Sequence, residues 1–417
     1  MKYITVCLAF ISFTAFSSYW QTSLDVKERL TYLDAVEFDS SSGEAGFFWT
    51  QRVIGETRYE FNQQWSVTGG LLSALQEGVD ESPVERNNLD LYSAFVSYKT
   101  ENLDVRLGRQ TIFLGSQRLI GWREGTNVRR AWQGISADWH LSEHWKSSWF
   151  GLELIRVKPN GVFNDDARHE NRLAGTYHTL DLENLGWGGN ASTGLDLYYL
   201  YTNRDNRRTV EGVENQLRHS FGFRYFGELK RWYWDWEGVV QTGRHGQEKI
   251  EAWTFGTKTG FRFDTAYQPE LLFSANIASG DTSNGDGKLE TFDALFPRGD
   301  YFSGAAILGP SNFFNAHIYL IVNPNEQLRM AFDINFYKRL ETEDGVYGPP
   351  GNIIAAPNDN SSREVNLAYS TSISYQLSQR LNMELLVTYS RPREFLRASG
   401  ADDDTLFIEY TINWKIF

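Results

Sequence analysis

The sequence predicts an all-β protein, a transmembrane antiparallel up-and-down β-barrel of about 18 strands with short periplasmic turns and long extracellular loops. Three observations predict it. Period-2 alternation of apolar and polar residues runs from about residue 24 to the end, as expected of strands with one face in hydrocarbon and one in water. Aromatic residues make up 15% of the 417, with 14 Trp and 21 Tyr against only 3 Met and 10 Pro, a balance that suits a barrel with a wet lumen better than a soluble α/β enzyme. Beyond the N-terminus no apolar run is long enough for a transmembrane helix, so a closed barrel is the remaining way to pair every backbone group inside lipid. The formal charge of -13 and mean hydropathy of -0.45 would by themselves suggest a soluble acidic protein. They also speak against nucleic acid as a partner.

Taken in chain order, Lys2 precedes the apolar run Ile4 to Phe16, and Ala15-Phe16-Ser17 offers small residues for cleavage. Residues 1–17 therefore read as a secretory signal and 18–417 as a single barrel domain. Cys7 is the only cysteine and would leave with the signal, which excludes disulfides, thiolate metal sites and a cysteine nucleophile. Strands are expected at 24–33, 46–61, 64–76, 88–100, 102–114, 128–140, 144–157, 170–183, 192–203, 215–227, 230–243, 247–263, 267–279, 311–323, 326–338, 362–377, 380–391 and 404–417. The alternation is plainest in LDLYYLY (Leu195 to Tyr201), RMAFDINFY (Arg329 to Tyr337) and TLFIEYTINWKI (Thr405 to Ile416). In the last of these Ile408, Tyr410, Ile412, Trp414 and Ile416 share one face, while Glu409, Thr411, Asn413 and Lys415 share the other.

The connections sort by length. Asn62-Gln63, Glu101, Glu143, Gly227-Glu228-Leu229, Pro324-Asn325 and Leu377-Ser378-Gln379 lie in tight turns, whereas 34–45, 77–87, 115–127, 158–169, 204–214, 280–310, 339–361 and 392–403 are long. Two fit this sorting less well: 184–191 is longish for a turn and 244–246 short for a loop. The sorting places the chain in the outer membrane of a Gram-negative bacterium, with lipid as its surroundings and both termini in the periplasm. Trp232, Trp234 and Trp236 at the start of one strand suit an interfacial girdle. Phe417 resembles the terminal aromatic read by the barrel-assembly machinery, although it shares parity with Asn413 and Lys415.

If the apolar parity meets lipid, the opposite parity lines a lumen. That parity carries Arg52, Arg58, Arg106, Arg130, Arg218, Arg224, Lys258, Arg262 and Arg329, with Glu56, Asp104, Glu153, Asp235, Glu237, Glu270, Asp333, Glu364, Glu384 and Glu409 as acidic counterparts. Both signs in one lumen set up a transverse field whose basic side guides anions. The plainer reading is that these charges pair across strands and stiffen a polar interior.

GRQTIFLGSQRLIGWREGTNVRRAWQG (Gly108 to Gly134) sets five arginines in one short stretch. Arg118, Arg123, Arg129 and Arg130 are expected at or above the mouth, where an inward-folding loop would narrow the pore with them. Arg109 has lipid-facing parity, costly for an arginine, and a bulge at Gly108 turning it inward would remove the conflict.

The same stretch, extended to Ile135, resembles the signature of the alginate-export family of outer-membrane barrels. SGDTSNGDGKLETFDALFP (Ser279 to Pro297) is similar to that family's second signature. The resemblance implies an eighteen-stranded barrel whose arginine-rich constriction passes an anionic polysaccharide or oligosaccharide by diffusion. By position it implies Arg109, Arg118, Arg123, Arg129 and Arg130 as pore-lining residues, with Asp235, Glu237 and Gln241 as their polar partners. The alternatives are a general or small-solute porin and a closed barrel serving as scaffold.

Within the second signature, Asp281, Ser283, Asn284 and Asp286 are hard oxygen ligands that invite a calcium reading, with Asp281 and Asp286 as the carboxylates. The spacing is not that of an EF-hand, and a hydrogen-bonded turn is the preferred expectation. No cofactor is expected. Seven histidines with no HExxH, Walker or GxSxG motif speak against an enzyme.

Overall fold

In the computed structural model, residues 19–417 are described apart from 40–45, 79–81, 184–190, 299–303 and 350. The expected signal segment lies outside the described residues. The strands are β1 (Trp20–Leu33), β2 (Gly46–Glu60), β3 (Trp65–Glu77), β4 (Asn87–Lys99), β5 (Leu103–Gln110), β6 (Trp132–Ser142) and β7 (Trp145–Arg156). They continue with β8 (Asp166–Asp181), β9 (Ser192–Thr209), β10 (Gly212–Leu229), β11 (Trp232–His245), β12 (Glu248–Arg262), β13 (Glu270–Ala278) and β14 (Lys288–Leu289). The last third holds β15 (Phe313–Val322), β16 (Leu328–Lys338), β17 (Val346–Tyr347), β18 (Ile353–Ala355), β19 (Glu364–Ser378), β20 (Leu381–Pro392), helix α1 (Glu394–Ala398) and β21 (Thr405–Lys415).

Eighteen of these strands form one closed antiparallel ring. Each pairs with the next in sequence, and β1 returns to β21 in a register from Asp25 opposite Lys415 to Leu33 opposite Phe407. The three short strands belong to loops: β14 lies parallel to β12, and β17 pairs with β18. The alternation holds in three dimensions. Leu107, Ile135, Trp149, Val240, Phe273, Ile318 and Ile334 stand exposed on the outside, while Thr31, Thr68, Ser97, Thr202, Ser220, Asn276, Asn315 and Thr411 are buried inside. An exposed apolar exterior is unfavourable in water and favourable in hydrocarbon.

Several expectations are corrected. The long loop at 204–214 does not exist: β9 and β10 continue into a turn at 210–211. β6 begins at Trp132 and β5 ends at Gln110, so 111–131 is one long loop. Glu153 shares the outward parity of Trp149 and meets His169 at 2.8 Å, beyond the lumen. At Gly108 the backbone takes φ 134°, where an added Cβ would collide with the Ala94 carbonyl, but the register beside it is unbroken. The irregularity is across the ladder in β4, where the register shifts opposite Gly70 and Leu71. Arg109 is resolved by that neighbour: its guanidinium meets Asp90 at 3.2 Å and the Leu91 carbonyl at 2.9 Å.

Candidate functional site

The two signature loops do not stand above the barrel; they fold into it and grip each other. Ile120 and Phe296 form a parallel bridge, with Gly121 N–H donating to Phe296 O at 2.8 Å and Phe296 N–H to Leu119 O at 2.9 Å. Leu119, Ile120, Trp132, Leu289, Phe292, Leu295 and Phe296 are all buried, and Trp132 meets the Phe296 ring edge-on at 4.8 Å. Apolar inward residues of the wall, Leu152, Leu173 and Leu200, complete this cluster. Each large side chain removed from water contributes about 1.5–3 kcal/mol, so the cluster is what draws the loops inward.

Strand β11 anchors both loops. Glu237 accepts hydrogen bonds from Tyr198 at 2.6 Å and from Ser116 of the first signature loop. Gln241 accepts from Arg218 at 2.6 Å and from Asp293 N–H at 3.1 Å, and donates to Asp293 O at 2.8 Å. The Asp293 carboxylate is ion-paired with Arg204 and, at 3.2 Å, with Arg207. Burial opposes its ionisation, but Arg204, Arg207 and Arg218 prevail and hold it well below the carboxylate range. Arg204, Arg207 and Asp293 are not among the residues that the sequence pattern points to. Arg204 lies on the strand extension read as loop, and Asp293 in an apolar stretch whose side chains had no assigned direction.

The signature arginines hold this architecture together. Arg118 is fully buried, donating to Asn276 at 2.8 Å and Thr254 at 2.8 Å, and Gly256 beside it leaves the space that a Cβ would fill. Arg123, at φ 62°, closes its own turn through Val128 O at 3.1 Å. Arg130 binds Gly121 O at 2.7 Å and Phe296 O at 2.6 Å. The expected position at the mouth is thus corrected for both: Arg118 reaches the inner wall, where Thr254 of β12 and Asn276 of β13 accept its protons, and Arg130 lies between the two loops on their carbonyls, because a buried guanidinium demands such partners.

Beside the first signature loop an offset cavity of about 700 Å³ remains, lined by Lys27, Arg29, Glu124, Asp333, Glu384 and Glu409 among others. Glu124 is met by Arg52 at 2.6 Å, Arg129 at 2.8 Å and Lys27 at 3.4 Å. Arg29 lies between Glu85 at 3.3 Å and Glu409 at 3.4 Å. Lys27 and Arg29 share the inward parity of Thr31, a signal that the sequence itself carries. Nearer the short-turn end, a second cavity of about 650 Å³ includes Arg224, Asp235, Lys258 and Tyr233 in its lining. There Arg224 bridges Asp235 at 2.8 Å and Asp196 at 3.1 Å, and Arg262 caps the Tyr233 ring at 4.5 Å. Arg106 pairs with Asp104 at 3.2 Å, and Arg329 is exposed at the start of β16.

The calcium candidates part company: Asp286 is exposed and accepts Lys288 N–H at 2.9 Å, while Asp281 is fully buried. Among the described residues no group of three or more His, Cys, Asp or Glu is placed to hold a metal ion. Asp281 instead joins the second signature to loop 339–363, its N–H donating to Asp344 at 2.8 Å. Burial and the nearby carboxylates of Glu211, Asp344 and Glu290 push the Asp281 carboxyl up to about 7. A raised carboxyl favours the folded loop in its protonated form, so this contribution is complete below the ordinary carboxylate range and is lost as pH rises through about 7. Limited proteolysis of residues 280–298 is expected to be slower at pH 5 than at pH 8, and Asp281→Asn should remove the difference.

The barrel is similar to solved outer-membrane channels of low sequence identity, which attest the fold. The Pseudomonas aeruginosa OpdK structure with vanillate matches at TM-score 0.65 and 8% identity, covering 95% of this chain and 98% of that one. OpdO of the same organism matches at 0.64 and 10%, covering 95% and 97%. OccK2 (OpdF) of that organism, in complex with glucuronate, matches at 0.61 and 12%, covering 95% and 98%. No curated protein sequence matches. The family model for alginate export matches residues 20–405, nearly the whole barrel and both signature loops, and the chain belongs to the alginate export family.

Proposed function

We propose that the protein is a passive channel of the outer membrane for carboxylated saccharides of the uronate class, with its short turns in the periplasm. The offset cavity carries this reading: Lys27 and Arg29 on β1 face the same space as Asp333, Glu384 and Glu409 on β16, β20 and β21. Lys27 offers the carboxylate a cation, Arg29 being held between Glu85 and Glu409, while the acidic side and Tyr319 offer partners for sugar hydroxyls. Family membership supports a saccharide cargo, and the similarity to a barrel in complex with glucuronate supports a uronate.

The filled lumen favours a second reading. Two loops docked against β11 occupy part of the lumen and leave the 700 Å³ cavity beside them, a space that suits short oligomers or single small solutes. Planar-bilayer recording separates the two. The first expects anion preference in a salt gradient and current block by uronate oligomers; conductance without block would support a small-solute porin. A protein that inserts without conducting would contradict both.

A further inference from the structure

We propose that Lys27, Arg52 and Arg129 form a carboxylate-binding site and that Glu124 occupies it as an internal stand-in for a substrate carboxylate. This deepens the uronate-channel reading and rests on it.

Three cations converge on one carboxylate. Arg52 Nη2 and Lys27 Nζ reach Oε1 at 2.6 and 3.4 Å, and Arg129 Nε donates to Oε2 at 2.8 Å. Both oxygens are engaged by charged donors, as a bound ligand's would be. One negative charge does not balance three positive ones, and Arg29, the next cation, is already committed to Glu85 and Glu409. Glu124 lies in the wall of the 700 Å³ cavity together with Lys27, Gly125 and Thr126, whereas Arg52 is buried. A solute carboxylate in that cavity meets Glu124 first and can reach Arg52 by displacing it.

The backbone around Glu124 is fixed, so only its side chain has to move. Arg123 donates to Val128 O through Nε at 3.2 Å and Nη2 at 3.1 Å. Asn127 is fully buried, with Nδ2 donating to Gln51 O at 2.9 Å, Leu75 O at 3.1 Å and Glu85 O at 2.9 Å. Side-chain exchange on such a frame is fast compared with loop motion. A tethered competitor lowers apparent affinity by the fraction of time the site stands open. Weak, rapidly reversible capture is what conduction requires, since a solute held too well does not leave.

The test is block of single-channel current in the full-length protein by sodium glucuronate, with glucose as the neutral control. Glu124→Gln should lower the blocking concentration about tenfold by opening the site. Lys27→Met, which leaves both arginine pairs to Glu124 in place, should raise it. Heat-modifiable mobility verifies the barrel, and if Glu124→Gln does not fold, the Lys27→Met arm decides. Block of Glu124→Gln at the wild-type concentration or above, or of Lys27→Met at the wild-type concentration, would overturn the site alone. Conductance with no glucuronate block in the wild type or either variant would overturn the uronate reading and this site with it.

Discussion

Asp293→Ala is expected to release the second signature loop from the lumen while leaving the barrel intact. The substitution removes the acid partner that Arg204 and Arg207 share and leaves the buried Arg204 charge without it beside Arg218. Breaking a buried ion pair from one side costs about 3–5 kcal/mol. Here that loss falls on loop docking, because the eighteen-strand ladder does not pass through Asp293. The readouts are a rise in single-channel conductance and faster proteolysis near Arg298, with unchanged heat-modifiable mobility. Conductance and cleavage equal to wild type would show that the arginine cluster does not hold the loop.

The second large effect is expected at Trp132. Its side chain is fully buried at the first position of β6, edge-on to Phe296, where both signature loops meet. Trp132→Ala should cost about 3–5 kcal/mol, combining lost apolar burial with the cavity left behind. Trp132→Phe should recover much of that. Hydrogen exchange reads the effect locally: the Gly121 and Phe296 amides, which bridge the two loops, should lose protection in the alanine variant. Protection equal to wild type would mean that backbone bridging alone positions the loops.

How much was legible from sequence follows from what each signal encodes. Alternation is a backbone property of strands, and it found β9, β16 and β21 and the sidedness of residues such as Arg52 and Arg224. Such alternation stops where the ladder stops. Leu119, Ile120, Phe292 and Phe296 were visible as apolar residues in stretches expected to be solvent loops, but nothing local says that two such stretches, far apart in sequence, will bury against each other. Once they do, the nearby arginines need acceptors: Arg130 takes carbonyls of both loops and Arg118 takes Thr254 and Asn276 of the wall, so both become struts instead of a lining. The resemblance implies Asp235, Glu237 and Gln241 as polar partners of the first signature; Glu237 does reach it through Ser116, whereas Gln241 serves the second and Asp235 pairs with Arg224. Arg109 required knowledge of Asp90 on the neighbouring strand, which register alone supplies.

The pairing of β1 with β21 has a consequence for biogenesis. Asp25 finds Lys415 only after nearly the entire polypeptide exists, so the final seam is the most non-local contact available to the chain and among the slowest to form. Until then the first and last strands each present an unsatisfied edge, the kind of surface that recruits other chains into aggregates. Unassembled protein must therefore be chaperoned as a whole, and a chain stopped before residue 405 would lack the partner that completes its circumference.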